Sequence, residues 1–508
     1  MTTLARASII ISLGNFANFL VSAGKSIVVA KYFGTGNELD SFFIAYIPFL
    51  ILNGILVSSM QYSIIPVIVD LSEKGEERMG ILLFNSFFTL SVIIFLSLGV
   101  LMFLFSESIV GLLAPGFGTE KTRLAGKILR IISPAIVISG ASEIINSLFH
   151  SKRKFGLPIF GGLVNISLSF LYLLIFLYQG IHALAFGMVL GSCAQCGISL
   201  WGAYRERMGV ALTYRFANVG FPLVFHNLVP MFLSILFTNV NLAVDQIMAS
   251  VLPAGSVSAL NYASNMNNIF HQVFIYSIGS AVLPFLSHYV AKGNLVEMKN
   301  TFKLGIRVVF YILLPITIII LIVGEPVVEL VFQRGVFDNY STLFVSNAWK
   351  AFSLGMIAMG VGILGVRILT ALQMTKVLAY ISFFNIFMNV TLNWVLMKFY
   401  GHVGIALSTS ISYLVSSILI MVSIYKIIGD MQLEELLIPL KKILYWASLS
   451  GIVNYIVLFL LSFIQSRIFA ALFSAMIGLS LYLIVSWKEK SMEFQIIVDN
   501  LRFKDKPA

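Results

Sequence analysis

The chain has 508 residues, of which 59% are hydrophobic and only 11% charged, against roughly 45–50% and 25% in soluble domains. This excludes a soluble multidomain enzyme and describes a membrane protein, whose 13% aromatic content suits lipid-facing surface and interfacial belts. Lys and Arg exceed Asp and Glu by 33 to 22, a net charge of +11 that positive-inside topology explains without nucleic acid as a partner.

A helix needs about 20 apolar residues to cross ~30 Å of hydrocarbon, and the polar punctuation predicts fourteen such stretches. In chain order they are 7–30, 41–69, 81–105, 128–149, 157–178, 183–203, 224–250, 262–291, 302–331, 343–372, 377–399, 403–424, 443–464 and 469–487. No small-residue cleavage site follows the first stretch, so it is expected to stay as a helix and not to be removed as a signal. An even count puts both termini on one side. Placing them in the cytoplasm puts most basic residues inside, among them Lys74, Arg78, Lys152, Arg153, Lys154, Lys441 and Lys442. The connections are short and leave no loop large enough for a soluble active site.

The halves of the chain repeat at an offset of about 218–224 residues. Ala30 to Gly36, Phe42-Phe43 and Ile64-Ile65-Pro66 correspond to Ala249 to Gly255, Asn261-Tyr262 and Val282-Leu283-Pro284. Pro115-Gly116-Phe117 corresponds to Arg334-Gly335-Val336, and Asn165 to Asn389. The expected fold is therefore an all-α polytopic membrane protein of about fourteen transmembrane helices, with two pseudo-symmetric six-helix lobes plus two C-terminal helices. The lobes cover 1–215 and 216–430, and 431–508 holds the last two helices and a cytoplasmic tail. Paired lobes around a cleft suit alternating access and favour transport over catalysis.

An ordered set of segments carries a family resemblance: Ile27-Val-Val-Ala-Lys-Tyr-Phe-Gly-Thr-Gly36, Asp40-Ser-Phe-Phe-Ile-Ala45, Leu113-Ala-Pro-Gly-Phe117, Asp245-Gln-Ile-Met-Ala-Ser250, Gly255-Ser-Val-Ser-Ala-Leu-Asn-Tyr-Ala263, Leu283-Pro284 and Phe332-Gln-Arg-Gly-Val-Phe337. With these the chain resembles the MurJ/MviN lipid II flippases of the multidrug/oligosaccharidyl-lipid/polysaccharide exporter superfamily. The resemblance implies a multi-pass protein of the bacterial inner membrane that flips an undecaprenyl-diphosphate-linked glycan for cell-wall synthesis. It also implies an anionic-headgroup cavity between the lobes and a groove for the lipid tail along the last two helices. Expected partners are the lipid-linked glycan, membrane lipid and enzymes of peptidoglycan or polysaccharide synthesis, for a chain acting as a monomer.

That cavity carries several arginines in the family. Here Lys25 stands at one such place, while Phe19, Asn53 or its neighbour Leu52, and Asn265 occupy others. A lysine offers a phosphate one point charge where arginine offers a fork. Another polyprenyl-diphosphate oligosaccharide, such as an O-antigen or exopolysaccharide unit, therefore stays open as cargo. Asp40 keeps the family's acidic position, either as a helix N-terminal charge or as a gate or ion-pair partner of Lys25.

The candidate substrate-binding residues are thus Lys25, Asp40, Asn53, Asn265 and Glu143. An ionisable group inside a span is costly unless it faces a cavity or partner, which singles out Lys25. The resemblance further implies cation binding by Asp245 together with polar residues of the eleventh and twelfth spans. Asn385 and Asn389 lie one helical turn apart, and Thr409 follows. Hard oxygen donors suit sodium, so coupling to Na+ or H+ is expected with no other metal or cofactor. His271 and Arg367 are weaker candidates. Cys193 and Cys196 form a CxxC inside an apolar run and read as neighbours on a helix. Gly360-Val-Gly-Ile-Leu-Gly365 satisfies a dinucleotide-binding pattern with no preceding strand, so close helix packing is the better reading. A multidrug/cation antiporter and a membrane-embedded glycosyltransferase are the competing functions. The first wants an acidic cavity and the second an extramembrane loop.

Overall fold

A computed structural model describes residues 3–213, 221–463 and 466–495, and every regular element among them is helical. In chain order we label α1 (Thr3–Phe33), α2 (Asn37–Glu73), α3 (Glu77–Leu104), α4 (Thr119–Ser151), α5 (Gly156–Ile175), α6 (His182–Arg205), α7 (Phe221–Ala249), α8 (Ser256–Ala291) and α9 (Leu295–Phe332). Asn339–Ser353 and Met356–Ala371, bent by 41° at their junction, form α10. Thr375–Ile428 is divided at Gly401 into α11 and α12, followed by α13 (Leu433–Leu460) and α14 (Arg467–Lys488).

Each predicted apolar stretch, among the described residues, lies mostly on helix. Among the described residues eleven helices, or twelve with the bent pair, are long and apolar enough to cross a membrane. One of them holds both α11 and α12, so the helices are compatible with the expected fourteen. Gly401 has φ +57°, a conformation that glycine adopts without steric cost, and there the chain turns back on itself.

The chain forms two compact units, residues 1–258 and 259–508. The lobe boundary expected at 215/216 and the C-terminal tail beyond 495 lie outside the described residues. In the first unit an aromatic and aliphatic core joins α2, α3 and α4, with Phe84, Phe87, Phe95 and Phe149 fully enclosed. Small residues let the helices approach, as expected where lipid provides no hydrophobic preference between faces. Gly187 and Gly191, one turn apart on α6, lie against the Ser169 and Asn165 backbone of α5.

In the second unit Tyr311 of α9, Trp446 of α13 and Tyr482 of α14 pack together. The Tyr482 hydroxyl donates to the Tyr311 carbonyl at 2.8 Å, and Ser450 of α13 donates to the Gly478 carbonyl of α14 at 2.7 Å. Gly360 of α10 lies against Val309 of α9, and Gly365 against Ile420 of α12. These glycines therefore serve helix packing.

The repeat extends to backbone conformation. Leu52–Val57 in α2 and His271–Ile275 in α8 are π-helical turns that start 219 positions apart. Pro66 and Pro284 follow them at matching places in the same helices. A π turn widens the helix by one residue and redirects the side chains around it.

Candidate functional site: polar groups inside the spans

Lys25 is half-buried on α1, and its ammonium donates to the Ser169 hydroxyl of α5 at 2.7 Å. Of the two roles left open for Asp40, a helix N-terminal charge or an ion pair with Lys25, its contacts are those of the first, at the start of α8. The Asp40 carboxylate, 2% exposed, accepts from the Gly255 N–H at 2.7 Å and the Ser258 N–H at 2.8 Å, with the Lys121 ammonium at 3.8 Å. The physical reason is the start of α8, whose first-turn amides have no acceptor within their own helix. A carboxylate arriving from α2 satisfies two of them and meets the positive end of the dipole. Gly255, at φ +91°, supplies the turn that aims those amides. Beside it, a Cβ on Gly116 would collide with Ser250 and Val251, and Lys121 sits over the Phe117 ring. Four of the segments that carry the family resemblance thus meet at one point in the first unit.

Glu143 of α4 lies at the centre of a second polar group. Gln61 of α2 donates to its Oε2 at 3.1 Å and to its backbone carbonyl at 2.6 Å, and Gln195 of α6 donates to its Oε1 at 2.8 Å. Asn165 of α5 donates in turn to the Gln195 side-chain oxygen at 2.6 Å. Two turns' length of α4 adds Ser139, which donates to Asn53 Oδ1 at 2.9 Å, and Asn146, which accepts from Ser199 at 2.9 Å. Asn53 sits in the π turn of α2, and its amide also donates to the Phe49 carbonyl at 3.2 Å. The predicted candidates Asn53 and Glu143 therefore share one face of α4. Gln61, Ser169 and Gln195 were not singled out from the sequence. Their signal is an uncharged polar side chain within an apolar span.

In the second unit Asn265 is exposed on α8. The antiparallel pair α11 and α12 is joined by hydrogen bonds from Asn385 to Ser416 and from Ser408 to Asn393. Asn389, midway between those asparagines, accepts from Asn393 at 3.1 Å, while its own Nδ2 and the Ser412 hydroxyl are buried without a partner. Thr409 donates to the Ile405 carbonyl at 3.2 Å. Amide and hydroxyl oxygens of this kind are the hard donors a small cation takes, and of the two orphaned atoms the Ser412 hydroxyl oxygen is such a donor while the Asn389 Nδ2 is an N–H group that is not. Asp245, the carboxylate of the expected set, is buried in the first unit. His271 lies in the π turn of α8 with its Nε2 at 3.1 Å from the Asn267 amide, and Arg367 of α10 flanks Gly279 with its Nε buried and unpartnered. Cys193 and Cys196 are free thiols on α6.

Spanning helices, an internal repeat and polar side chains gathered at mid-span define a polytopic membrane transporter. Residues 29–478 match the family described as "Lipid II flippase MurJ". A relative named "Probable lipid II flippase MurJ" from Buchnera aphidicola subsp. Acyrthosiphon pisum is 28% identical over 439 residues, 83% of this chain and 84% of that one. The "Lipid II flippase MurJ" of Burkholderia cenocepacia is 22% identical over 83% of this chain and 84% of its own length. A solved structure titled "Lipid II flippase MurJ, inward closed conformation" superimposes with a TM-score of 0.81 at 22% identity, covering 95% of this chain and 99% of that one. An inward-facing multidrug resistance MATE family transporter of the MOP superfamily gives 0.70 at 15% identity, over 84% of this chain and 99% of its own. The chain belongs to the lipid II flippase MurJ family.

Proposed function

We propose that this protein moves lipid II, the undecaprenyl-diphosphate-linked peptidoglycan precursor, across the cytoplasmic membrane by alternating access. The family match over residues 29–478 carries the reading. A diphosphate and its sugars cannot cross hydrocarbon unaided, so the protein must supply polar groups and positive charge at depth. Lys25 does this in the first unit. Its one hydrogen-bond partner among the described residues is a neutral hydroxyl, so no carboxylate there competes with an anion for it. Asn53, Asn265, Glu143 and Asp40 complete the proposed substrate path. The proposed cation-binding residues are Asn385, Asn389 and Thr409 of the second unit, supplying amide and hydroxyl oxygens, and Asp245, a carboxylate of the first unit. We further propose six-helix lobes at 1–215 and 216–430, both termini in the cytoplasm and action as a monomer. The role is transport and not catalysis.

A second cargo is favoured by one observation: Phe19, Asn53 or its neighbour Leu52, and Asn265 stand where the resemblance implies arginines, leaving a single point charge in the first span. The test is rescue of cells depleted of their own lipid II flippase. Growth with restored lipid II export supports the proposal. Failure to rescue, together with loss of a surface polysaccharide when the gene is deleted from its own host, assigns the chain to a different polyprenyl-diphosphate glycan.

A further inference from the structure

We propose that Asn389 of α11 and Ser412 of α12 form a buried binding site for a single water molecule, deep inside the second unit. α11 carries asparagines at 385, 389 and 393, and α12 carries serines at 408, 412 and 416. A spacing of four places each set on one helix face. The helices run antiparallel from the turn at Gly401, Asn385 donates to Ser416, and Ser408 donates to Asn393. That register puts Asn389 opposite Ser412. Three like rungs are thus laid out, and direct hydrogen bonds close the first and the third.

The middle rung has no direct bond, for a reason that lies along α11. Asn393 Nδ2 donates to Asn389 Oδ1 at 3.1 Å, which fixes the orientation of the Asn389 amide. Turning that amide over would set two N–H groups against each other. Donation therefore runs from Ser408 to Asn393 Oδ1, from Asn393 to Asn389 Oδ1, and ends on Asn389 Nδ2, which has no acceptor. The Ser412 hydroxyl is likewise without a partner. Asn389 is 0% and Ser412 2% exposed. Asn389 lies fourteen residues beyond Thr375 and twelve before Gly401, roughly 18–21 Å from either end of α11 at 1.5 Å per residue. At that depth lipid offers neither donor nor acceptor, and an unpaired buried N–H is costly.

The two groups select the occupant. A water oxygen accepts from Asn389 Nδ2, and one of its hydrogens goes to Ser412 Oγ, which carries the chain of donation back to α12. Two polar partners are the smallest set that holds a buried water. A cation does not fit, because Nδ2 presents hydrogens to it. A halide would accept from both the N–H and the O–H, but it would bring a charge with no counter-ion. α11 and α12 carry no charged residue between Lys376 and Lys398 or between Lys398 and Lys426, and an uncompensated charge at that depth is expensive. The cation role proposed above draws on Asn389 Oδ1, whereas the water uses Nδ2.

The test is a density map of the full chain in lipid nanodiscs, at a resolution that shows ordered water, from one preparation in sodium chloride and one in N-methylglucamine gluconate. The expected result in both is a peak about 2.7–3.2 Å from Asn389 Nδ2 and from Ser412 Oγ. No peak there, a direct bond between Nδ2 and Oγ, or a peak present only in sodium chloride overturns the proposal. Melting supplies a second measurement. Asn389→Ala and Ser412→Ala each remove the bridge, so the double variant is expected to melt no lower than Asn389→Ala alone. Falls in melting temperature that add up count against the site. Neither measurement reads cargo movement, so the water site and the lipid II reading fail separately.

Discussion

The Asp40 carboxylate holds the backbone N–H of Ser258 at 2.8 Å, across a sequence separation of 218 residues. That separation matches the offset of the internal repeat. The first turn of α2 thus caps the first turn of its counterpart α8, through a residue the counterpart lacks.

Asp40→Ala removes the acceptor for two buried N–H groups and should cost about 2–4 kcal/mol. Asp40→Asn keeps one carbonyl acceptor and should lose less. Lys121→Ala, whose ammonium stands 3.8 Å from Asp40, should lose least. Thermal unfolding of the three variants in detergent checks the order.

Two glycines of α6 should respond in opposite directions to alanine. A Cβ at Gly191 meets the Asn165 backbone carbonyl, whereas a Cβ at Gly197 meets nothing within 4 Å. Gly191→Ala is expected to destabilise by about 1–3 kcal/mol through forced separation of α5 and α6. Gly197→Ala should stabilise by about 0.5 kcal/mol through reduced backbone entropy of the unfolded chain. Melting temperatures of the two purified variants provide the comparison.

Arg307 of α9 donates to Glu493 at 2.6 Å, and the acid is 2% exposed. Lys442 and Glu489, 3.6 Å apart, are 58% and 49% exposed. Arg307→Met strands a buried carboxylate and should cost about 3 kcal/mol, whereas Lys442→Met should cost well under about 1 kcal/mol. Denaturation in mild detergent distinguishes the two. Equal losses would mean that Glu493 is hydrated.

Lys25→Ala should lower lipid II transport by about 10–100-fold, the worth of one charge-assisted hydrogen bond to an anion. Lys25→Arg should retain most of it, and both variants should insert into the membrane normally. Flipping by proteoliposomes reports the first quantity, and fractionation the second. Wild-type flipping by Lys25→Ala would remove Lys25 from the mechanism.

Asp338 caps α10 by accepting from the Ser341 N–H at 2.8 Å, and that bond holds its carboxyl below the usual carboxylate range. A depressed carboxyl stabilises the fold above its unfolded value, about pH 3.9, and the contribution is lost as pH falls through the lower folded value. The difference in unfolding midpoint between wild type and Asp338→Ala should therefore be constant from neutral pH to about pH 5 and shrink below about pH 4.

The sequence by itself determined where helices form and that they repeat, because span length and apolar content are local and the bilayer imposes one thickness on all of them. It also exposed Lys25 and Glu143, since an ionisable group in a greasy run stands out without any knowledge of its neighbours, whereas Asp40 and Asn53 came from the family resemblance. Which neighbours they meet was decided only by tertiary structure. Lipid gives no hydrophobic preference between helix faces, so rotation and pairing depend on where small residues allow contact and where polar groups find partners. Gly187 and Gly191 bring Asn165 and Gln195 together, and the unsatisfied amides of α8 draw Asp40 away from Lys25. Lys25 is left with a hydroxyl, and Glu143 with two amides.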